Sequence, residues 1–255
     1  MKSIPRAFWH EFRGAFARLP VWLPGTRMRL GDVGLLSTAG WAPVSTLADQ
    51  GVSFEQGEPG VPVDYDYRSV GGTAVSVHMA VDSGPLLTPA VDVGSAVRYS
   101  FSRQGAFVLK ASAVRARQIT NLDEVAAQVC ARYRAGLWER TWTVVTEVGL
   151  SGPGMILVSG QVGAEATVEF GAAAPGTGIG ARIGIRVSHE NGLAAAFISN
   201  RPGTLMWAGR YVHDPRFGRT RFQVRGPDRP AADETFSFDE RHGPEWPREG
   251  IARTD

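Results

Sequence analysis

At 255 residues, with 43% hydrophobic and 20% charged side chains, the chain has the composition of one large globular domain or two small ones, which excludes wholesale disorder. No run of 18 apolar residues occurs, and Arg6, His10, Glu11, Arg13 and Arg18 interrupt the stretch where a signal-sequence core would lie. One cysteine, Cys130, excludes an intrachain disulfide framework and a cysteine-built zinc cluster, so the expectation is a cytoplasmic protein.

Charge is unevenly placed. Residues 226–255 hold eight acidic and four basic residues, about −4, against about +6 for the rest. All cations but Lys2 and Lys110 are arginines, whose forked guanidinium suits phosphate. Anionic lipid fits such a body. Nucleic acid is not expected, because no RNP-type aromatic motif, zinc finger or recognition-helix pattern accompanies the charge.

Residues 3–19 predict an amphipathic helix, with Ser3 as cap, Pro5 in the first turn and Ile4, Phe8, Phe12, Phe16 and Leu19 on one face. Trp9 widens that face, and Lys2, Arg6, Arg13 and Arg18 lie around it. Such a helix either docks on the core or lies in a lipid interface. After the proline breaks at Pro20 and Pro24, residues 28–36 read as a strand and turn, and residues 41–44 as a second strand. A single helical turn follows from Ser45 to Gly51.

Period-2 alternation then dominates: Val97, Tyr99 and Phe101 against Arg98, Ser100 and Ser102; Trp142, Val144, Thr146 and Val148; Ala164, Ala166, Val168 and Phe170 against Glu165, Thr167 and Glu169; Ile179 to Val187 against Arg182 and Arg186. This predicts a largely antiparallel sheet with one buried face. One internal helix starts at Asn121, with Glu124 completing a capping box, and ends near Gly136. Its buried stripe is Leu122, Val125, Val129 and Tyr133, with Cys130 beside it as a small core residue. From Gly226 prolines punctuate an acidic stretch whose apolar features are Phe236, Phe238 and Trp246. Aromatics two residues apart there suggest a strand-like strip pinned onto the body.

The chemistry-bearing motifs are weak. Gly176, Gly178 and Gly180 precede a strand rather than a helix, so they read as a hairpin connection and not a phosphate loop. His10, His78, His189, His213 and His242 show no metal-ligand spacing. Beside His213–Asp214 and His189–Glu190 no GxSxG nucleophile elbow occurs, which disfavours a hydrolase. No catalytic residue, cofactor or metal is expected.

The order of features resembles that of the bacterial gasdermins. An amphipathic amino-terminal helix leads through Leu19-Pro20 and Leu23-Pro24 into Met28-Arg29-Leu30-Gly31-Asp32-Val33-Gly34-Leu35, then a short strand at 41–44. Val97-Arg98-Tyr99-Ser100-Phe101-Ser102 then leads into the Asn121 helix. Residues 142–148 pair with 155–158, and Leu205-Met206-Trp207 precedes a short tail. The resemblance covers nearly the whole chain and is topological. It implies an autoinhibited pore-former: a carboxy-terminal tail holds a twisted sheet closed, a protease removes it, and strands extend as hairpins that homo-oligomerise in anionic membrane. Relocation from cytoplasm to inner membrane would follow. Many bacterial members carry an early cysteine for lipidation, which Met1-Lys2-Ser3-Ile4 lacks. Initial membrane contact would then fall to Phe8, Trp9, Phe12 and Phe16 with Arg6 and Arg13, and the autoinhibitory tail contacts to Phe236, Phe238 and Trp246.

A bilayer-spanning strand needs about 9–11 residues of alternating character. Residues 97–110 and 155–170 alternate over part of that length, with Arg98, Arg103, Glu165 and Glu169 as lumen-facing charges. The expectation is therefore an α+β protein with a central twisted, mainly antiparallel sheet, flanking helices and a short carboxy-terminal tail. It divides into an amino-terminal helix (1–20), a body (21–225) and a regulatory tail (226–255). The rival reading is a non-enzymatic interaction module that binds a protein partner through its tail or a sheet edge.

Overall fold

The computed structural model describes residues 5–22, 28–78, 95–172, 183–199, 201–213 and 237–240. In chain order these form α1 (Arg6–Phe16), β1 (Leu19–Pro20), β2 (Asp32–Ser37), β3 (Gly40–Thr46), β4 (Val63–Arg68), β5 (Thr73–His78), β6 (Ser95–Phe101) and β7 (Phe107–Gln118). There follow α2 (Leu122–Arg134), β8 (Trp142–Ser151), β9 (Gly154–Ser159), β10 (Ala164–Ala172), β11 (Ile183–Asn191), β12 (Leu193–Ser199), β13 (Gly203–His213) and β14 (Ser237–Glu240).

Two long β-ribbons organise these strands. In the first, β4 pairs with β7, and the chain continuing from each, β5 and β6, pairs again. In the second, β9 pairs with β12 and β10 with β11. Each ribbon begins in a ten-stranded sheet and ends in a four-stranded sheet of order β11-β10-β6-β5, where the two ribbons meet through β6 and β10. All pairings are antiparallel, so among the described residues the fold is an α+β protein built on antiparallel sheet.

The two sheets stack because β7 and β9 are apolar on both faces, the pattern of strands buried from two sides. Val108, Met155 and Leu157 face the four-stranded sheet and pack on Val97, Tyr99, Phe101, Ala164, Ala166 and Val168. Phe107, Leu109, Ile156 and Val158 face the other way, toward α1. Three layers result: α1, the large sheet and the small sheet. Further along, α2 covers β2, β8 and β13 with Val125, Val129 and Cys130.

Several local expectations change. α1 starts after Pro5, without a side-chain cap, and stops at Ala17, whose left-handed φ of 51° lets its N–H reach the Arg13 carbonyl at 2.8 Å. It is thus shorter than residues 3–19, and Ser3 lies outside the described residues. β3 runs through Thr46, and the single turn after it closes at Gly51. Asn121 does not form a capping box. Its Oδ1 accepts from the Glu55 N–H at 2.8 Å and its Nδ2 donates to Glu124 at 2.8 Å, tying α2 to the neighbouring strand segment. Val125, Val129 and Cys130 form the buried part of α2, with Leu122 and Tyr133 half-buried at its margins.

The larger correction concerns pairing. Residues 142–148 and 155–158 do not pair with each other, because β8 and β9 run on in one direction along β7. Ser151-Gly152-Pro153-Gly154 looks like a hairpin turn, yet Gly152 N–H donates to Ser112 O (2.8 Å) and Ser112 N–H to Pro153 O (3.1 Å), so the ladder to β7 continues through a kink. Residues 97–110 and 155–170 are likewise not hairpins. Each passes from one sheet into the other, and the hairpins of the four-stranded sheet are β5–β6 and β10–β11.

Candidate functional site

The four-stranded sheet is attached to the body at one end only, among the described residues. Its crossings to the large sheet are 69–72, 102–106, 160–163 and 191–192, and hydrogen bonds knit them into a row. Ser102 N–H donates to Gly72 O (3.1 Å), Gly105 N–H to Ser159 O (2.9 Å), Gly163 N–H to Phe101 O (2.9 Å) and Gly160 N–H to Gly192 O (2.9 Å). Each crossing contains a glycine at positive φ: Gly71 (64°), Gly105 (75°), Gly163 (75°) and Gly192 (67°). Left-handed backbone costs an L-residue roughly 1–2 kcal/mol, so glycine is what allows four chains to turn sharply side by side. The arrangement is a flap of two hairpins on a glycine hinge row.

The flap has two chemically distinct faces. Val97, Tyr99, Phe101, Ala164, Ala166 and Val168 are buried against the body. On the opposite face Arg98 forms an ion pair with Glu165 across β6 and β10, and Ser100 Oγ lies 3.5 Å from Glu165 Oε1. The hydrogen bond from Arg98 holds the Glu165 carboxyl below its ordinary range. Glu169 shares that face by register. Arg103, expected with these charges, instead sits in the 102–106 crossing and pairs with Glu11 of α1.

The seam beneath the flap is imperfectly satisfied. Lys110 is buried on β7, 2% exposed, and pairs with Asp66 on β4. Burial pushes the Lys110 ammonium below its usual range, and Asp66 partly restores it. Tyr99, fully buried above this pair, has a hydroxyl with no hydrogen-bond partner, and so has the buried Thr73 Oγ1. Burial pushes the Tyr99 phenol upward, so it stays neutral. An unpaired buried hydroxyl costs about 1–3 kcal/mol. Tyr99→Phe is therefore expected to raise stability by about 1 kcal/mol, read as a higher melting temperature. A fall would mean the hydroxyl has a partner in solution.

The aromatic residues expected to touch membrane are turned inward in this conformation. Phe8, Trp9 and Phe12 are at most 1% exposed; Phe8 meets Phe107 edge-on at 5.0 Å, and Phe16, half-buried, meets Tyr65 and Tyr67 at 5.5 and 5.2 Å. Arg6 is exposed and Arg13 half-buried. Of the two fates open to an amphipathic helix, docking on the core is the one seen. In the tail, Phe236 and Trp246 lie outside the described residues. Phe238 belongs to β14, which pairs with β13 (Val212↔Phe238) and lies beside α2. The backbone of residues 237–240 is thus a strand on a sheet edge, at the end of the large sheet remote from the hinge row.

No protein-family model matches the chain, and no curated protein matches it.

Among the described residues, His, Cys, Asp and Glu form no group of three able to hold a metal ion. One cleft lies where β8 kinks into β9, lined by Val21, Met155, Phe197 and Leu205 with Ser151, Ser199 and Thr204. All three hydroxyls donate to carbonyls, of Gly203, Arg201 and Met28 respectively, so each has its proton already engaged within the protein. The hinge glycines, Lys110 and Glu11 escaped the sequence reading. The glycines carried the only signal, since each falls where an alternating run breaks off and another begins.

Proposed function

We propose that the protein is a gasdermin-like pore-forming effector, in which the flap swings from the body about its glycine hinges and enters membrane. The observation that carries this reading is the flap itself: two adjacent antiparallel hairpins, joined to the body at one end, with one apolar and one polar face. A membrane-crossing sheet needs both faces, one for lipid and one for a lumen. β10 and β11 are nine residues each, close to the roughly 9–11 a bilayer requires, and each flap strand continues beyond its hinge into a further strand. In this reading the polar row of Arg98, Glu165 and Glu169 faces the lumen, homo-oligomers form along β5 and β11, the end strands of the described four-stranded sheet, and anionic lipid attracts the basic body. Activation is proteolytic removal of the tail 226–255, which takes away about −4 of charge and the strand β14.

A protease site engineered near Pro230 tests this. Cut protein is expected to release dye from anionic vesicles, with uncut protein inert and neutral vesicles resistant. Cut protein that stays monomeric and releases no dye on any lipid overturns the reading. A second reading rests on β14, which fills the edge of β13: a partner's strand could replace it, making the protein a non-enzymatic interaction module. Tail-dependent strand exchange without leakage would favour that account.

A further inference from the structure

α1 touches the hinge row itself. A Cβ on Gly105 would lie 2.7 Å from the Ala7 Cβ and 2.9 Å from the Phe8 N, so the first turn of α1 rests directly on the 102–106 crossing. One turn further along, Glu11 receives two donors. Tyr67 O–H on β4 reaches its Oε1 at 3.0 Å, and the Arg103 guanidinium reaches its Oε2. Arg103 in turn lies against the 69–72 crossing, since a Cβ on Gly72 would lie 2.9 Å from its Nε. One carboxylate thus joins the helix, the large sheet and two hinge crossings. Burial first, and then the bond to Glu11, raises the Tyr67 phenol above its ordinary range, so Tyr67 remains a donor throughout the neutral range.

The other end of α1 reaches the edge that the tail strand occupies. Arg18 pairs with Glu147 at 2.7 Å, and β1 follows at once, laid along β13 at Trp207 and Met206. β14 occupies β13 from Arg210 to His213, a few residues further along. The tail strand and the strand that anchors α1 therefore share one partner.

We propose that α1 is the lock of the flap: Glu11 clamps Arg103, the Ala7–Phe8 turn bears on Gly105, and the flap opens only when this contact is lost. The proposal goes beyond the pore reading but uses its hinged flap. Its test is made in solution without lipid, so failure of pore formation and failure of the lock are separate results.

The experiment is amide hydrogen exchange on the intact chain, comparing wild type with Glu11→Ala, Arg103→Ala and the double variant. Each single variant is expected to speed exchange of β6 and β10 amides by roughly two- to fivefold, as for loss of a part-exposed charged pair, and to leave β8 and β13 unchanged. The double variant should exchange no faster than Glu11→Ala, and so by less than the two singles combined, because the Glu11–Arg103 pair that Arg103→Ala removes is already lost with Glu11. Gly14→Ala serves as the opposite perturbation: a Cβ there meets nothing within 4 Å, so it strengthens the helix and should slow the same amides. Faster exchange confined to α1, or spread equally over β6, β8, β10 and β13, would overturn the lock, as would Gly14→Ala leaving β6 unchanged.

Discussion

Phe12→Ala is expected to remove about 3–5 kcal/mol of stability, the range for truncating a buried phenylalanine to alanine. Phe12 is fully buried and touches three rings, with centroids 5.7 Å from Phe8, 4.7 Å from Phe16 and 5.7 Å from Phe107. Phe107 belongs to β7, so a gap at Phe12 loosens the helix layer and the central strand together. Urea unfolding of the intact chain checks the value. Against a typical total of about 5–15 kcal/mol the loss is severe, and thermal unfolding should begin many degrees earlier. A loss below about 1 kcal/mol would mean that α1 is already undocked in solution, with its aromatic face open to lipid before any cleavage.

How much of this was legible follows from what kind of information each residue carries. The helix at Phe8, Phe12 and Phe16 was readable because a 3.6-residue period is local. Which surface it buries was not, since docking on Phe107 and lying in lipid require the same apolar stripe. The strand faces were equally readable: Val97, Tyr99 and Phe101 are buried and Arg98 and Ser100 are not, as alternation requires. Pairing was not, because alternation names a face and never a partner. Residues 151–154 illustrate the loss. Gly and Pro there have turn chemistry, and only the long-range bonds to Ser112 decide that the strand kinks onward along β7. Lys110 was hidden for the opposite reason. A lysine in a strand reads as a surface residue, and its burial depends on Asp66, 44 positions earlier.

Val168→Asp and Thr167→Asp, neighbours on β10 that point to opposite faces of the flap, should behave oppositely. Val168 is fully buried against the body, whereas Thr167 is on the half-exposed polar face. In the closed protein, a carboxylate at 168 has no partner among Val97, Leu157 and its other apolar neighbours. It is therefore expected to lower stability by several kcal/mol. At 167 the change should stay within about 0.5 kcal/mol. If the flap enters membrane, the same two faces meet lipid and lumen. The charge at 168 then opposes insertion, by less than the roughly 2–4 kcal/mol that an arginine or lysine costs at the midplane of a barrel strand, while the charge at 167 remains in water. Cut protein carrying Thr167→Asp should leak dye about as well as the parent. Cut protein carrying Val168→Asp should lose most leakage even though its closed state is weaker and more readily opened. Weaker closure alone predicts the reverse, more leakage from the less stable variant, so the pair separates opening from insertion. Val168→Thr gives a milder form of the same change, should the aspartate variant not fold. Equal leakage from the 167 and 168 variants, normalised to vesicle-bound protein, would show that β10 does not cross the bilayer with its buried face toward lipid.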